Sequence, residues 1–328
     1  MSIPLGLARR AVGNYLGRRP YCASFELTYT CNARCKHCHR GPPVPGEVRA
    51  SPEQLLRICQ EIRPVVAIMS GGEPLLRRDL PEIIRLFKTE AGPIRVFVNT
   101  NASLLPRRYA ELDAAGTDEF LISLDYPDER HDEFRAIPGL FRKIERFIAG
   151  LSPRERDRVV FQTVFQSGNF RDGPRMAKLA RDWGVNINFS AYTTLRTHDD
   201  SLLIPEEELP AFEAVVEELL ELKKEHGRIL TSDWVMRCMV GYFRGEDLGV
   251  CRAGERSLVV NPDGTLSPCG LIIEDYPNRQ ALVEGFTLHN TCTACFTSTR
   301  ANSERPARHL FLDHLPYLRR KSASSARA

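Results

Sequence analysis

Three cysteines, Cys31, Cys35 and Cys38, stand at the spacing C-x3-C-x2-C near the start of the chain. Residues 25–30, immediately before them, are rich in β-branched and aromatic side chains and read as a strand. The cysteines therefore occupy a loop leaving a strand end, from which three sulfurs can be aimed at one point. A closed structural zinc site takes four ligands, and no fourth lies nearby except His37 or His39. Three thiolates suit an iron–sulfur cube better, because one iron then stays open for a small chelating cofactor. The competing readings are a zinc knuckle on Cys31, Cys35, Cys38 and His39, or three buried thiols.

A second group, Cys251, Cys269, Cys292 and Cys295, has the pattern C-x17-C-x22-C-x2-C. Between its first two members the chain reads as a β-hairpin turning at Asn261-Pro262-Asp263-Gly264. A hairpin joining Cys251 to Cys269, closed by a Cys-x-x-Cys loop, makes a four-sulfur cage. Zinc or an iron cluster would satisfy it equally by ligand type.

The elements that must position these groups follow an alternation of strand and helix. Residues 65–69 are a continuous apolar run, as expected of a strand buried on both faces, and lead directly into Ser70-Gly71-Gly72-Glu73-Pro74. Two glycines allow close backbone approach, and the Glu73 carboxylate can pair with an ammonium group. Residues 94–98, ending in Asn99-Thr100-Asn101, and residues 120–124, ending in Asp125, repeat the pattern, as do residues 159–165 and 185–189. Helices are expected over about 52–62, 80–90, 107–115 and 172–183. Six such units make a curved parallel sheet, because parallel strands need crossovers and crossovers are right-handed. Residues 190–204 are polar and aperiodic and read as a loop over the barrel mouth. A long helix to about 226 and a second one over 234–243 follow, with Cys59 and Cys238 read as core thiols.

On the cysteine loop, the Gly71-Gly72-Glu73-Pro74 segment and the Ser123-Leu124-Asp125 strand end, the chain resembles the radical S-adenosylmethionine (radical SAM) enzymes. The resemblance implies a partial (β/α)6 TIM-like barrel with its chemistry at the carboxyl ends of the strands. It further implies a four-iron cluster on Cys31, Cys35 and Cys38 whose open iron chelates SAM. One electron then cleaves SAM to methionine and a 5′-deoxyadenosyl radical, which abstracts hydrogen from the substrate. Gly71, Gly72 and Glu73 correspond to the segment that holds the amino group of SAM. Asn101, Ser123 and Asp125 correspond to segments that approach SAM or the substrate, although Ala102 stands where glycine is more usual. The run His131-Asp132-Glu133-Phe134-Arg135 with Gly139 and Phe141 is similar to an HD-x-x-R pattern of the subgroup with C-terminal cluster domains. Either an ion-paired helix surface or a polar role near the active site explains it.

The second cysteine group resembles the twitch domain, the shortened relative of the SPASM domain, which carries one auxiliary four-iron cluster. The implied organisation is an N-terminal arm over 1–20, the barrel over 21–204, a helical connection over 205–245, the twitch-like domain over 246–300 and a tail over 301–328. The implied activity is oxidation or rearrangement of a small molecule, with the auxiliary cluster as electron conduit and a flavodoxin or ferredoxin as electron donor. Modification of a peptide or protein is the alternative, and a non-catalytic metal-binding module the second. No catalytic side chain is singled out.

Composition sets the outer bounds. A chain of 328 residues with 42% hydrophobic content can bury a large core and a smaller one. A net charge of +3 gives no reason to expect nucleic-acid binding. Clustered cysteines without a secretory leader favour metal ligation in a reducing cytoplasm over disulfides. No apolar run reaches the length of a membrane span. The opening segment, with four arginines among apolar residues, reads as a packed arm; contact with a membrane surface is the other reading. Its three glycines weaken a helix. The segment from Lys321 to Ala326 reads as disordered.

Overall fold

The apolar runs found in the sequence become the inner strands of one sheet. The computed structural model describes residues 4–272 and 274–306; the tail segment from Lys321 to Ala326 lies outside the described residues. Strands β1 (Cys22–Glu26), β2 (Val66–Ser70), β3 (Arg95–Thr100), β4 (Glu119–Ser123), β5 (Val159–Phe165) and β6 (Asn186–Ala191) pair in chain order, every pair parallel. Helix α1 (Leu5–Leu16) precedes β1. The crossovers carry α2 (Pro52–Ile62), α3 (Leu80–Glu90), α4 (Leu105–Ala114), then α5 (Arg130–Arg135) with α6 (Leu140–Ala149) and one turn α7 (Pro153–Arg156), and finally α8 (Gly173–Trp183). This is the expected partial barrel. Helix α2 starts as its sequence demands, with a capping box in which Gln54 N donates to Ser51 Oγ at 3.3 Å and Ser51 N to Gln54 Oε1 at 2.7 Å.

Aromatic side chains fill the layer between sheet and helices. Phe25 of β1 meets Phe87 of α3 edge-on at 4.9 Å, and Phe165 of β5 stacks on Phe189 of β6 at 4.7 Å. Helix α9 (Leu209–His226) closes that end by setting Phe212 against Phe165, and stops at Gly227 with φ 66°. Helix α10 (Asp233–Phe243) packs on α9.

The hairpin between Cys251 and Cys269 forms as β7 (Ser257–Val260) and β8 (Leu266–Ser267), antiparallel with Val260 opposite Leu266. Strand β7 pairs parallel with β1, from Cys22 opposite Ser257 to Phe25 opposite Val260, so the sheet runs β6-β5-β4-β3-β2-β1-β7-β8. The hydrogen-bonding edge of β1 needs a partner, and the hairpin supplies it. Helices α11 (Arg279–Gly285) and α12 (Ser298–Glu304) complete the described chain.

The opening segment is a helix despite its glycines, because tertiary contacts override the local propensity. Asn14 is buried and donates to the carbonyls of Pro20 at 2.7 Å and Arg63 at 2.8 Å, while Arg10 reaches the carbonyl of Ala91 at 2.8 Å. Among the described residues no helix is long and apolar enough to cross a membrane.

Candidate active site

The cysteine loop is built onto the end of β2. Leu27 N donates to Ser70 O at 2.9 Å, Gly72 N to Thr28 O at 2.7 Å and Glu73 N to Thr30 O at 3.0 Å. A methyl group on Gly72 would fall 2.1 Å from the Thr30 carbonyl oxygen, and one on Gly71 2.3 Å from that of Thr28. The two glycines thus permit close approach of one backbone to another, which the sequence reading had assigned to a ligand; both also line the cavity described below. Because the obstructing atoms are backbone, no rotamer change relieves them. Gly72→Ala is expected to cost about 3 kcal/mol and to lower the iron bound per chain after reconstitution. Wild-type iron content together with an unchanged unfolding midpoint would refute this account of the glycine.

Glu73 does not face the cavity. It is buried, its Oε1 accepts from Thr100 Oγ1 at 2.7 Å and Leu75 N at 3.1 Å, and its Oε2 accepts from Asn101 N at 2.8 Å. Burial pushes its pKa up in spite of these donors. Its carboxylate braces the end of β3. That brace sets Asn101, which does line the cavity, and whose Nδ2 donates to Asn32 Oδ1 at 2.9 Å. Ala102, in the position where glycine is more usual, has φ 64° and is buried, so the chain holds an alanine in left-handed backbone there.

Asp125 is likewise engaged by the protein itself. Ser123 lines the cavity, but Asp125 is fully buried, and its Oδ2 accepts from Arg135 Nη2 at 2.6 Å and Nε at 2.7 Å. Burial would raise the Asp125 carboxyl; Arg135 outweighs it and holds the group below its ordinary value. Asp125 N donates to His131 Nδ1 at 3.2 Å, and burial pushes His131 down to about 3, so that ring is neutral. The HD-x-x-R segment is therefore no exposed helix surface. It lies under the cysteine loop, accepting from Arg34 N at Arg135 O (3.1 Å) and from Lys36 N at Phe134 O (3.2 Å), with His37 packed on Phe134 at 4.9 Å. Burial raises the Cys35 thiol, and the nearby Arg135 guanidinium works against that rise.

Cys31, Cys35 and Cys38 line a cavity of about 410 Å³ at the carboxyl ends of the strands. Cys251, Cys269, Cys292 and Cys295 form a second part of its wall, next in sequence to β7, β8 and α12. Cys251 N donates to Cys292 O at 2.7 Å, and Arg300 gathers this wall by donating to carbonyls of Gly249, Thr293 and Cys295. Cys238 is not part of it and sits on α10. In the same cavity, Glu26 at the end of β1 accepts from Arg40 Nη2 at 2.7 Å and Arg196 Nη2 at 3.2 Å, and Arg196 Nε donates to Gly270 O at 2.8 Å. Tyr192, Thr193, Leu195 and Arg196, from the loop expected over the barrel mouth, line the cavity too. Sequence reading missed Glu26, Arg40, Arg196 and Arg300, since isolated charges carry no spacing signal.

The donor set fits iron–sulfur clusters. All seven cysteines are free thiols. Backbone amides already point at the sulfurs: Ala33 N to Cys31 Sγ at 3.4 Å, Arg40 N to Cys38 Sγ at 3.4 Å and Ile272 N to Cys269 Sγ at 3.3 Å, the kind of bond that tunes a cluster. Without a bound cation, burial pushes Cys31 up to about 11 and raises Cys35, Cys269 and Cys295. Among the described residues no three His, Cys, Asp or Glu groups close around the position of a single metal ion. A cube of iron and sulfide holds its thiolates further apart than one ion does.

Residues 25–187 match the Radical SAM superfamily. The chain is also 30% identical over 286 residues to the AdoMet-dependent heme synthase of Methanosarcina barkeri, covering 77% of this chain and 77% of that one. It belongs to the radical SAM superfamily, whose members use a four-iron cluster and SAM. A probable GTP 3′,8-cyclase of Methanothermobacter thermautotrophicus is 26% identical over 289 residues, 83% of this chain and 91% of its own. Among solved structures, native anSMEcpe with bound AdoMet and Cp18Cys peptide superposes with a TM-score of 0.62 at 16% identity, over 93% of this chain and 99% of that one, a likeness of fold.

Proposed function

We propose that the chain is a radical SAM enzyme that oxidises or rearranges an anionic small molecule held in the cavity that its two cysteine groups line. Cys31, Cys35 and Cys38 would hold the SAM-binding cluster, and Cys251, Cys269, Cys292 and Cys295 an auxiliary four-iron cluster. Bound there, the first cluster with SAM supplies a 5′-deoxyadenosyl radical that takes a hydrogen atom, and the second a one-electron acceptor. The chief support is that both sets of cysteines line one cavity. The chain's own residues do the holding. Gly71, Gly72, Asn101 and Ser123 line the side nearest the first loop and are assigned to SAM.

Arg40 and Arg196 share one carboxylate, Glu26, which leaves an excess positive charge in the cavity. Arg40 is further fixed by stacking on Tyr29 at 3.7 Å. Guanidinium groups so placed recognise carboxylate or phosphate. That preference agrees with a relative named for the cyclisation of GTP, a phosphate-bearing molecule.

Anaerobic incubation of the reconstituted protein with SAM and dithionite is expected to release 5′-deoxyadenosine, with roughly eight irons per chain. Cys292→Ala is expected to remove about half of that iron while 5′-deoxyadenosine still forms. A fully reconstituted protein that cleaves no SAM would overturn the reading. A Cys292→Ala protein with undiminished iron would remove the auxiliary cluster from it.

A further inference from the structure

Helix α1 crosses the base of the barrel, at the strand ends opposite the cysteines. Its inward side is fixed by Leu7, Asn14 and Arg10, as described above. Its outward side is apolar and exposed: Leu5 is 69% accessible, Val12 60%, Tyr15 52% and Leu16 76%. At about 100° per residue these four share a sector about 100° wide, the width of stripe that a helix ordinarily turns toward a core. Here it faces away from the protein. Along the flank of the stripe runs a groove of about 390 Å³ lined by Arg9, Arg10, Arg19 and Arg63 together with Gly6 and Pro93. No carboxylate lines it. Among the described residues Arg9, Arg19 and Arg63 form no ion pair, while Arg10 is held by the carbonyls of Pro64 and Ala91. Burial and the neighbouring Arg63 press the Arg10 guanidinium below its ordinary value, which marks how closely positive charge is gathered.

We propose that this face docks on an anionic phospholipid surface. Helix α1 lies in the plane of the interface, with Leu5, Val12 and Leu16 at the boundary of headgroups and acyl chains, while the Tyr15 ring is held by stacking on Arg256 at 4.4 Å. The arginine groove beside it takes lipid phosphates, for which guanidinium donors in a carboxylate-free recess are suited. The charge complementarity favours this occupant over a second copy of the chain. An isologous contact through α1 brings a surface against its own copy, arginines included, and nothing in the groove would neutralise them. Docked in this way, the protein presents the far end of its sheet, where the cysteine cavity opens, away from the bilayer. The inference is independent of the chemistry assigned to that cavity.

The test is sedimentation of the reconstituted full chain with vesicles of phosphatidylcholine alone and of phosphatidylcholine with phosphatidylglycerol, at low and high salt. Pelleting is expected with the anionic vesicles only, and high salt should weaken it. Arg9→Gln and Arg63→Gln are each expected to lower the partition coefficient about fivefold, the ratio that one charge near an anionic surface carries. Leu5→Ser and Leu16→Ser should weaken it as well, and all four variants should release 5′-deoxyadenosine at the wild-type rate, since their side chains lie on the outside of the base. Absence of pelleting with anionic vesicles overturns the proposal. So does pelleting that none of the four variants reduces, or a concentration-dependent dimer that Leu16→Ser dissolves.

Discussion

A Cys35→Ala protein is expected to keep its fold and release no 5′-deoxyadenosine. Cys35 is the middle sulfur of the loop and only half-buried, so removing it opens no core cavity. The loop backbone is held by groups that the substitution leaves alone: Gly72, Glu73 and the carbonyls of Phe134 and Arg135. What disappears is one of three thiolates, and two cannot retain a cube with one open iron. Iron bound per chain should fall toward the amount held by the distal four cysteines, with far-ultraviolet circular dichroism unchanged. Cleavage of SAM at the wild-type rate by this variant would move the reactive centre elsewhere in the molecule.

Asp125→Ala is expected to be the most destabilising single change outside the glycine contacts. It strands the Arg135 guanidinium, which is itself almost fully buried, without the carboxylate that neutralises it. Breaking a buried pair from one side costs about 3–5 kcal/mol, which should appear as a lowered urea midpoint in anaerobic unfolding. Arg135→Met combined with Asp125→Ala should recover much of the loss, because no buried charge is then left alone. The pH dependence has a definite sign. The folded Asp125 carboxyl lies below its unfolded value, so its stabilisation is fully present above the unfolded pKa and fades as pH falls through the folded one. Equal midpoints for wild type and Asp125→Ala would show that the pair is a bystander.

The alternation of strands and helices was readable because each buried strand leaves a local apolar run and each crossover helix a periodic face. The bounds of α3 agree with the expectation at both ends, and the glycine ending α9 was visible as a C-cap. The two cysteine groups were legible from their spacing, and both reach one cavity. What stayed hidden depends on partners far apart in the chain. Nothing local in residues 257–260 tells that β7 pairs with β1, more than two hundred residues earlier. Glu73 and Asp125 were legible as carboxylates beside the right strands, but their direction was not. Burial turned one toward the β3 end and the other toward Arg135. The helical state of α1 was obscured by its glycines, and its anchoring by Asn14 and Arg10 reaches residues fifty or more positions away.

The pairing of β7 with β1 also bears on the birth of the molecule. The first strand leaves the ribosome more than two hundred residues before its outer neighbour β7. Over that interval one edge of β1 carries a bare row of amides and carbonyls, and with it the cysteine loop. Closure of that seam is a late, non-local event of the slow kind.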